Sequence, residues 1–466
     1  MNFSDFGKYN QFKEQFANMS PEMKEQMMKM AKEQMKARVG GFFKKWFSLP
    51  VLTIVAAGMG AAIGALMAFF GQVLQTVGGL RDAHPIYFIP GLALAGIAIV
   101  LAYKKWGKGA ERGMGLIFSV GQGKESHIPL RLIPMVAVGT WLTHLFGGSA
   151  GREGVAVQIG GALGHNISKK LPFENASHIM LVAGMAAGFS GLFQIPMAAT
   201  AFALEVLIVG HMDLMALLPA AVAAFTACKV SNMLGLEKFA VDLNGILSTD
   251  GGATVSRLFM NGGALDMNFV VKLALLGVLF GVIGGGFAKL LSLAKEFFAK
   301  KFPDGMKRIA IMGVTLSALF LLLWRGRYSG LGTNLIDMCF SGAGIADGSN
   351  IAGGIQSYDW ILKFALTILT LAAGFQGGEV TPLFSIGASL GAVSAVMFGL
   401  PFPLAAALGY AAVFGSATNT LWAPILIGCE VFGFDCLPAF FVVCIAAYVC
   451  NGGQSIYNQK KLKLKF

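Results

Sequence analysis

Apolar runs recur along most of the chain, and several are as long as a membrane-crossing helix, which needs about 20 residues. Many are shortened or broken by glycine and proline, so the pattern predicts an all-α polytopic membrane protein without fixing the number of helices. The runs are 50–77, 87–103, 179–209, 214–234, 269–293, 309–323, 361–374 and 383–398.

Composition supports the same class of protein. Only 13% of the residues are charged and the mean hydropathy is +0.67, whereas a soluble domain carries about 25% charged residues. The 62 glycines suit helices that pack closely through small residues. The six cysteines show no paired metal-ligand spacing, so neither a metal nor a cofactor is expected.

The net charge of +12 is concentrated at the two ends of the chain. Since basic residues favour the cytoplasmic side, both termini are expected in the cytoplasm. Residues 1–48 are predicted to be a basic amphipathic segment that lies on the membrane surface or on the protein's own cytoplasmic face, with a helix start at Ser20-Pro21. Residues 459–466 are predicted to be a basic tail. Aromatic residues are sparse between these charges, so a nucleic-acid partner is not expected.

The chain resembles itself across two halves. Short glycine-containing segments recur in the same order and at nearly constant spacing, which predicts a first membrane repeat over 49–236, a linker over 237–268 and a second repeat over 269–458. We expect the repeats to have inverted topology. The corresponding segments are 58–64 with 277–284, 113–115 with 330–332, 151–154 with 377–380, and 189–196 with 414–424.

The stretch 147–161, GGSAGREGVAVQIGG, places Arg152 and Glu153 between glycines in an otherwise apolar region. An ionisable residue at membrane depth costs roughly 2.5–3.5 kcal/mol and therefore indicates a function. The glycines permit a non-helical turn, and the helix-compatible run 155–167 follows it. Such a turn exposes backbone N–H groups that bind anions. The sequence therefore predicts a carboxylate at an anion-binding helix end.

The interruptions of both halves share this chemistry, because each is a glycine-rich turn followed by an apolar helix start. Four of them converge if the halves pack face to face, and several helix N-termini aimed at one point make an anion site. Tyr457 adds a phenol hydroxyl that can donate to the anion.

These residues resemble the CLC family of chloride channels and proton-coupled anion exchangers. Residues 151–155, GREGV, are similar to the family's GREGP segment, which carries the external gating glutamate. Residues 113–117, GMGLI, stand in the place of GSGIP, residues 377–382, GGEVTP, in the place of GxFxP, and Tyr457 in that of the pore tyrosine. The resemblance covers about 50–458 and implies a CLC-like fold with broken and re-entrant helices.

Departures from the family pattern narrow the resemblance. Met114 replaces the serine that contacts chloride, Val155 replaces proline, and Glu379 lies inside the third motif. This combination resembles the fluoride/proton antiporter branch. Val206 stands where chloride/proton exchangers have their internal proton-transfer glutamate, which fits either that branch or a passive channel.

The resemblance implies a fluoride exporter driven by protons, forming a homodimer with a pore in each subunit within the bilayer of a bacterial plasma membrane. Its partners are fluoride or chloride, and protons. Glu153 and Glu379 are the implied gating and proton-transfer residues. The implied anion-binding residues are Gly113, Met114, Gly115, Arg152, Gly154, Glu379, Val380, Thr381 and Tyr457.

In this hypothesis, ionised Glu153 occupies an anion site and protonation releases it. The alternative is that Glu153 only pairs with Arg152. Glu379 provides a second carboxylate, assisted by the hydroxyls of Thr381 and Tyr457, unless it packs against a lysine or arginine at the membrane edge.

Three other functions stay open at this point. A passive anion channel and a chloride/proton exchanger of the same fold differ from the antiporter in properties that sequence does not show. A serine hydrolase is the third, because residues 147–151 match G-x-S-x-G around Ser149. That motif needs a strand before it and a helix after it, and here an apolar helix precedes it.

Overall fold

A computed structural model describes residues 20–249, 255–261, 264–341 and 354–461. The chain divides into two compact units, Met1–Leu52 and Thr53–Phe466. Helix α1, Pro21–Ala83, begins directly after Ser20, as the sequence predicts, and residue 48 lies within it. Residues 1–19 of the predicted amphipathic segment and 462–466 of the predicted tail lie outside the described residues. The sites below belong to the second unit.

The remaining described elements are nearly all helical. Those before the middle of the chain are α2 (Pro85–Phe88), α3 (Leu92–Trp106), α4 (Met114–Gly121), α5 (Leu132–Leu145), α6 (Glu153–Ser168), α7 (Ala176–Phe193), α8 (Pro196–Glu205), α9 (Leu217–Met233), α10 (Leu243–Thr249) and α11 (Val255–Phe259). A small hairpin follows, formed by β1 (Met260–Asn261) and β2 (Ala264–Leu265), with Met260 opposite Leu265.

The later helices repeat this series. They are α12 (Met267–Lys301), α13 (Gly305–Leu322), α14 (Thr333–Phe340), α15 (Asp359–Ala373), α16 (Val380–Phe398), α17 (Phe402–Thr418), α18 (Trp422–Phe432) and α19 (Leu437–Val449). Short 3-10 turns stand at Ile89–Gly91, Leu214–Ala216, Trp324–Gly326 and Phe434–Cys436.

Within the described residues, seven helices are long and apolar enough to cross a membrane. The apolar run 179–209 is not one helix, because α7 ends at Phe193 and α8 begins at Pro196. Gln194 between them is left-handed, with φ +60°, and Asn419 ends α17 in the same conformation at φ +53°. The broken helices predicted from glycine and proline are thus present in both halves.

Reciprocal contacts relate the two halves. Gly151 and Gly378 form an isolated antiparallel bridge, in which Gly151 N–H donates to Gly378 O at 2.6 Å and Gly378 N–H donates to Gly151 O at 2.8 Å. Helices α6 and α16 begin two residues after these glycines. Two like segments that exchange bonds in this way lie about a local two-fold axis, and the predicted fold of two inverted CLC-like repeats is confirmed.

Two carboxylates make the same exchange at another pair of helix ends. Glu205, the last residue of α8, accepts hydrogen bonds from the first amides of α18, including Trp422 N at 3.1 Å. Glu430 on α18 accepts from Met197 N at 3.2 Å and Ala198 N at 2.7 Å on α8. Each half therefore satisfies helix N–H groups of the other half.

Helices α7 and α16 form the centre of the second unit, since 89% and 83% of the most apolar 18-residue stretch of each helix is buried. Glycine lets their neighbours approach to backbone contact. A Cβ placed on Gly160 of α6 would lie 2.0 Å from Gly184 O of α7, and one on Gly387 of α16 would lie 2.1 Å from Gly409 O of α17. The packing of small residues is therefore the same in both repeats. The proposed boundaries at 236, 268 and 458 stay predictions.

Candidate functional site

The Glu153 side chain is fully buried at the start of α6. Its Oε2 accepts hydrogen bonds from Thr381 N at 3.2 Å and Thr381 Oγ1 at 2.5 Å, in the first turn of α16. Its Oε1 lies 3.3 Å from Arg152 Nε. The carboxylate is thus held both by the guanidinium of Arg152 and by the N-terminus of α16.

Glycine at position 151 makes this geometry possible. A Cβ there would lie 2.9 Å from Pro382 Cδ and 3.0 Å from Thr381 N. A larger residue would push the start of α6 away from the start of α16, which would lengthen the bonds that Glu153 makes.

Each of two cavities has a sequence neighbour of Glu153 in its wall. The first, here called the arginine cavity, has a volume of about 710 Å³ and includes Arg152 in its wall. The second, the tyrosine cavity, has a volume of about 290 Å³ and includes Gly154 and Tyr457. The two neighbours of Glu153 in sequence, Arg152 and Gly154, therefore line different cavities.

Cations dominate the wall of the arginine cavity, which includes Arg81, Arg152, Arg325 and Arg327. Arg81 pairs with Asp82 at 2.6 Å and Arg327 with the buried Asp359 at 2.6 Å. Positive charge in a cleft raises the local concentration of anions.

The start of α14 also lines this cavity at Gly332 and Thr333. The segment 330–332 thus lies at the arginine cavity and not at the tyrosine cavity, and the convergence of four glycine-rich helix starts stays a prediction. Three helix starts meet at the tyrosine cavity, those of α4, α6 and α16.

The tyrosine cavity gathers most of the predicted anion-binding residues. A Cβ placed on Gly154 would lie 3.7 Å from Met114 Cε and 4.0 Å from Glu379 Oε2, so these groups surround one point. Val380 and Thr381 are buried in the first turn of α16 instead. The predicted residues in the cavity wall are Gly113, Met114, Gly115, Gly154, Glu379 and Tyr457.

Glu379 has a cationic neighbour as well as a place in the cavity. Its Oε1 lies 3.6 Å from Nζ of Lys295 on α12, and the two side chains are 14% and 48% exposed. The contact with a lysine that the sequence left as an alternative is therefore present. It does not remove Glu379 from the cavity, because Glu379 lines the wall and its Oε2 would lie 4.0 Å from a Cβ placed on Gly154.

Tyr457 is held by an aromatic wall and by the neighbouring chain. Its ring stacks on Phe118 at 5.1 Å and meets Phe202 edge-on at 6.1 Å. The following residues pair with the end of α8, where Lys460 N–H donates to Leu207 O at 3.1 Å. Within the described part of the chain, the Tyr457 hydroxyl has no hydrogen-bond partner, which leaves it available to a ligand.

Comparison with known proteins identifies this arrangement. The family model described as voltage gated chloride channel matches residues 95–452. The chain belongs to the CLC family. A chloride/fluoride channel protein of Pseudomonas syringae pv. tomato is 32% identical over 432 residues, which cover 90% of this chain and 87% of that protein.

Further relatives place this CLC chain within the family. The crystal structure of a CLC-type fluoride/proton antiporter superposes with a TM-score of 0.82 at 48% identity, covering 90% of this chain and 99% of that one. The H(+)/Cl(-) exchange transporter ClcA of Vibrio cholerae serotype O1 is 26% identical over 328 residues, 66% of this chain and 64% of that protein. The CLC chain is therefore a membrane transporter.

The structure adds cavity residues that the sequence analysis did not select. Gln158 follows Gly154 by one helical turn and Phe118 follows Met114 by one turn, so helical spacing was a usable signal for both. Lys295 lies far along α12, and nothing local in the sequence connects it with Glu379.

Ser149 does not have the surroundings of a nucleophile elbow. It is fully buried, its Oγ lies 2.8 Å from Thr367 Oγ1, and helix α5 precedes it in the chain. Both ring nitrogens of the nearby His144 contact backbone carbonyls, at 2.8 and 2.9 Å. The serine thus connects α5 and α15 rather than facing a base.

Proposed function

We propose that this CLC chain is a fluoride/proton antiporter that exports fluoride. The observation that carries the proposal is the place of Glu153, a fully buried carboxylate whose sequence neighbours line two different cavities. Its Oε2 accepts hydrogen bonds from the amide and the hydroxyl of Thr381. The same groups that hold the carboxylate can hold an anion.

Proton coupling follows from this competition. While Glu153 is ionised, its Oε2 takes the two donors of Thr381. Protonation removes the charge and weakens these bonds, so the side chain leaves and an anion takes the amide. One group thus carries a proton and competes with the anion. Fluoride enters cells as the weak acid HF, which dissociates inside, so proton-driven export serves a cell well.

Similarity to named relatives supports fluoride as the substrate. The 48% identical structure is described as a fluoride/proton antiporter, and the 32% identical relative as a chloride/fluoride channel protein. Met114 and Glu379 depart from the chloride/proton exchanger pattern in the direction of the fluoride branch, and Val206 fits that branch or a passive channel.

The deciding experiment uses the purified full chain in liposomes, with fluoride, chloride and pH electrodes and an imposed proton gradient. We expect fluoride flux and linked proton movement for the unchanged chain, and loss of proton movement for Glu153→Gln. Glu430→Gln is the matched control, because it neutralises a carboxylate at a helix end outside both cavities. Unchanged proton coupling in Glu153→Gln would contradict the proposal.

The same assay separates the alternative functions. Fluoride flux through the unchanged chain without proton movement would indicate a passive channel. Chloride movement coupled to protons in preference to fluoride would indicate a chloride/proton exchanger.

We further propose a homodimer in a bacterial plasma membrane, with both termini in the cytoplasm. Exposed apolar side chains on α9 and α19, such as Phe225 and Phe441 at 52% and 43%, suit lipid or a second subunit. Single-molecule photobleaching in liposomes tests the dimer, and accessibility of cysteines placed near each terminus tests the orientation. One bleaching step per particle, or terminal cysteines labelled from outside cells, would overturn these assignments.

A further inference from the structure

Two residues that line the tyrosine cavity each have a buried polar atom without a hydrogen-bond partner among the described residues. Across the described residues, five buried side-chain atoms have no hydrogen-bond partner, and two of them, Gln158 Oε1 and the Tyr457 hydroxyl, belong to residues that line this cavity. A buried polar atom without a partner is costly, so native proteins retain it where a ligand or water completes it.

The position of Gln158 places its amide at the start of α4. The side chain is 7% exposed and follows Gly154 on the same face of α6. A Cβ placed on Gly113 would lie 3.0 Å from Gln158 Oε1. Gly113 has φ +49° and immediately precedes the first turn of α4, so the amide lies against a turn that only glycine makes easily.

The wall of the tyrosine cavity has few buried side-chain donors. Met114, beside Gly113, has a thioether that donates no hydrogen bond. Glu379 is an acceptor when ionised. The neutral side-chain donors in the wall are Gln158, Gln376, Tyr457 and Asn458, and of these only Gln158 and Tyr457 are buried. A small anion that leaves water needs N–H or O–H donors in place of its hydration shell.

We propose that the Gln158 amide binds the transported anion in the tyrosine cavity, donating an N–H group where Met114 offers none. The terminal amide of glutamine turns freely about its last torsion, so it can present Nε2 at the position that Oε1 occupies. Gln158 and the Tyr457 hydroxyl then hold the anion between them, one helical turn from Gly154. The proposal rests on the anion-transport function proposed above.

The test measures fluoride binding to the purified chain by titration calorimetry and fluoride flux in liposomes. Gln158→Leu keeps the approximate volume and removes the donor, so we expect fluoride affinity to fall about ten- to hundredfold, as for loss of a hydrogen bond to a charged group. Proton movement per fluoride ion should be unchanged, because Glu153 is untouched. Asn166→Leu is the matched control, since it removes an amide from the same helix that bonds Ile128 O at 2.9 Å and does not line the cavity.

Gln158→Glu distinguishes a donor from a packing group. At neutral pH its carboxylate would repel the anion, whereas at low pH the acid offers an O–H, so flux relative to the unchanged chain should recover as the pH falls. Wild-type affinity in Gln158→Leu, or flux in Gln158→Glu that is independent of pH relative to the unchanged chain, would overturn the proposal. Absence of fluoride flux in the unchanged chain would instead overturn the proposed function.

Discussion

The starts of helices α6 and α16 are the same backbone with opposite charges. Both follow a glycine of the Gly151–Gly378 bridge, and both have a charged residue at the N-cap. In α6 that residue is Arg152, which lines the arginine cavity, and in α16 it is Glu379, which lines the tyrosine cavity.

Two helix starts with nearly the same backbone arrangement thus contribute opposite charges to two different cavities. The local two-fold axis brings the two helix starts together, and the charges at equivalent positions make one cavity positive and place a carboxylate in the other. Only α6 carries a glutamate as its first residue, where α16 has Val380. In the proposed mechanism Glu153 is the group that carries the proton, and we expect its neighbours Arg152 and Glu379 to influence which ions reach it.

The largest effect on fluoride flux is expected from exchanging the charged residues at positions 152 and 379. In the double variant Arg152→Glu with Glu379→Arg, a second carboxylate adjoins Glu153, and like charges about 4 Å apart repel by about 4 kcal/mol at an effective dielectric constant of about 20. We expect fluoride flux in liposomes to fall by about a hundredfold or more.

Arg152→Lys is the control for this exchange, because it keeps the charge, and a symmetric size-exclusion peak verifies folding. Fluoride flux through the double variant equal to that through the unchanged chain would show that the sign of charge at positions 152 and 379 has no influence on transport.

Removing the hydroxyl of Thr381 at the start of α16 tests the same difference between the two helix starts, because the equivalent residue in α6 is Gly154. Thr381→Val deletes the 2.5 Å bond to Glu153 and keeps the side-chain shape. Loss of a hydrogen bond to a charged group costs about 1.5–3 kcal/mol, so Glu153 should leave its position roughly ten- to hundredfold more readily. Stopped-flow measurement should show altered proton coupling, while Thr367→Val, another buried threonine, leaves it unchanged. Equal coupling in both variants would contradict the role of Thr381.

The smallest effect is expected from Lys295→Met. The lysine is 48% exposed and 3.6 Å from Glu379, and exposed pairs contribute up to about 1 kcal/mol. We expect fluoride flux to change by a few-fold at low salt and less at high salt, because mobile ions screen the pair. Lys300→Met on the same helix is the control, as Lys300 pairs with Glu296 at 2.7 Å instead. A change that is independent of salt would argue against an electrostatic role.

The sequence predicted most of the fold because its signals are local. Apolar length indicated the spans, and Ser20-Pro21 indicated the start of α1. The pairing of the halves was less accurate. Sequence similarity aligned Glu153 with Glu379, whereas the glycine bridge makes Arg152 the counterpart of Glu379. Glu153 and Glu379 are the same residue type, but only the backbone pairing reveals that they occupy different positions at the starts of their helices.

The candidate site was accessible where motifs carried it and hidden where distant segments meet. Met114, Gly154 and Tyr457 line one cavity as expected from three separate motifs. The partner of Glu379 came from α12, more than a motif's reach away. The destination of residues 330–332 at the arginine cavity depends on how α14 packs, which glycine spacing does not encode.

The exchange between Glu205 and Glu430 has a consequence for how the chain is made. During synthesis the first repeat leaves the ribosome with the amides of Met197 and Ala198 still waiting for a carboxylate that is synthesised much later. Two separate polypeptides that each contain one repeat would fold poorly alone, yet we expect them to associate and fold when they are produced together. Ancestral duplication of a self-associating half would leave this kind of mutual dependence behind.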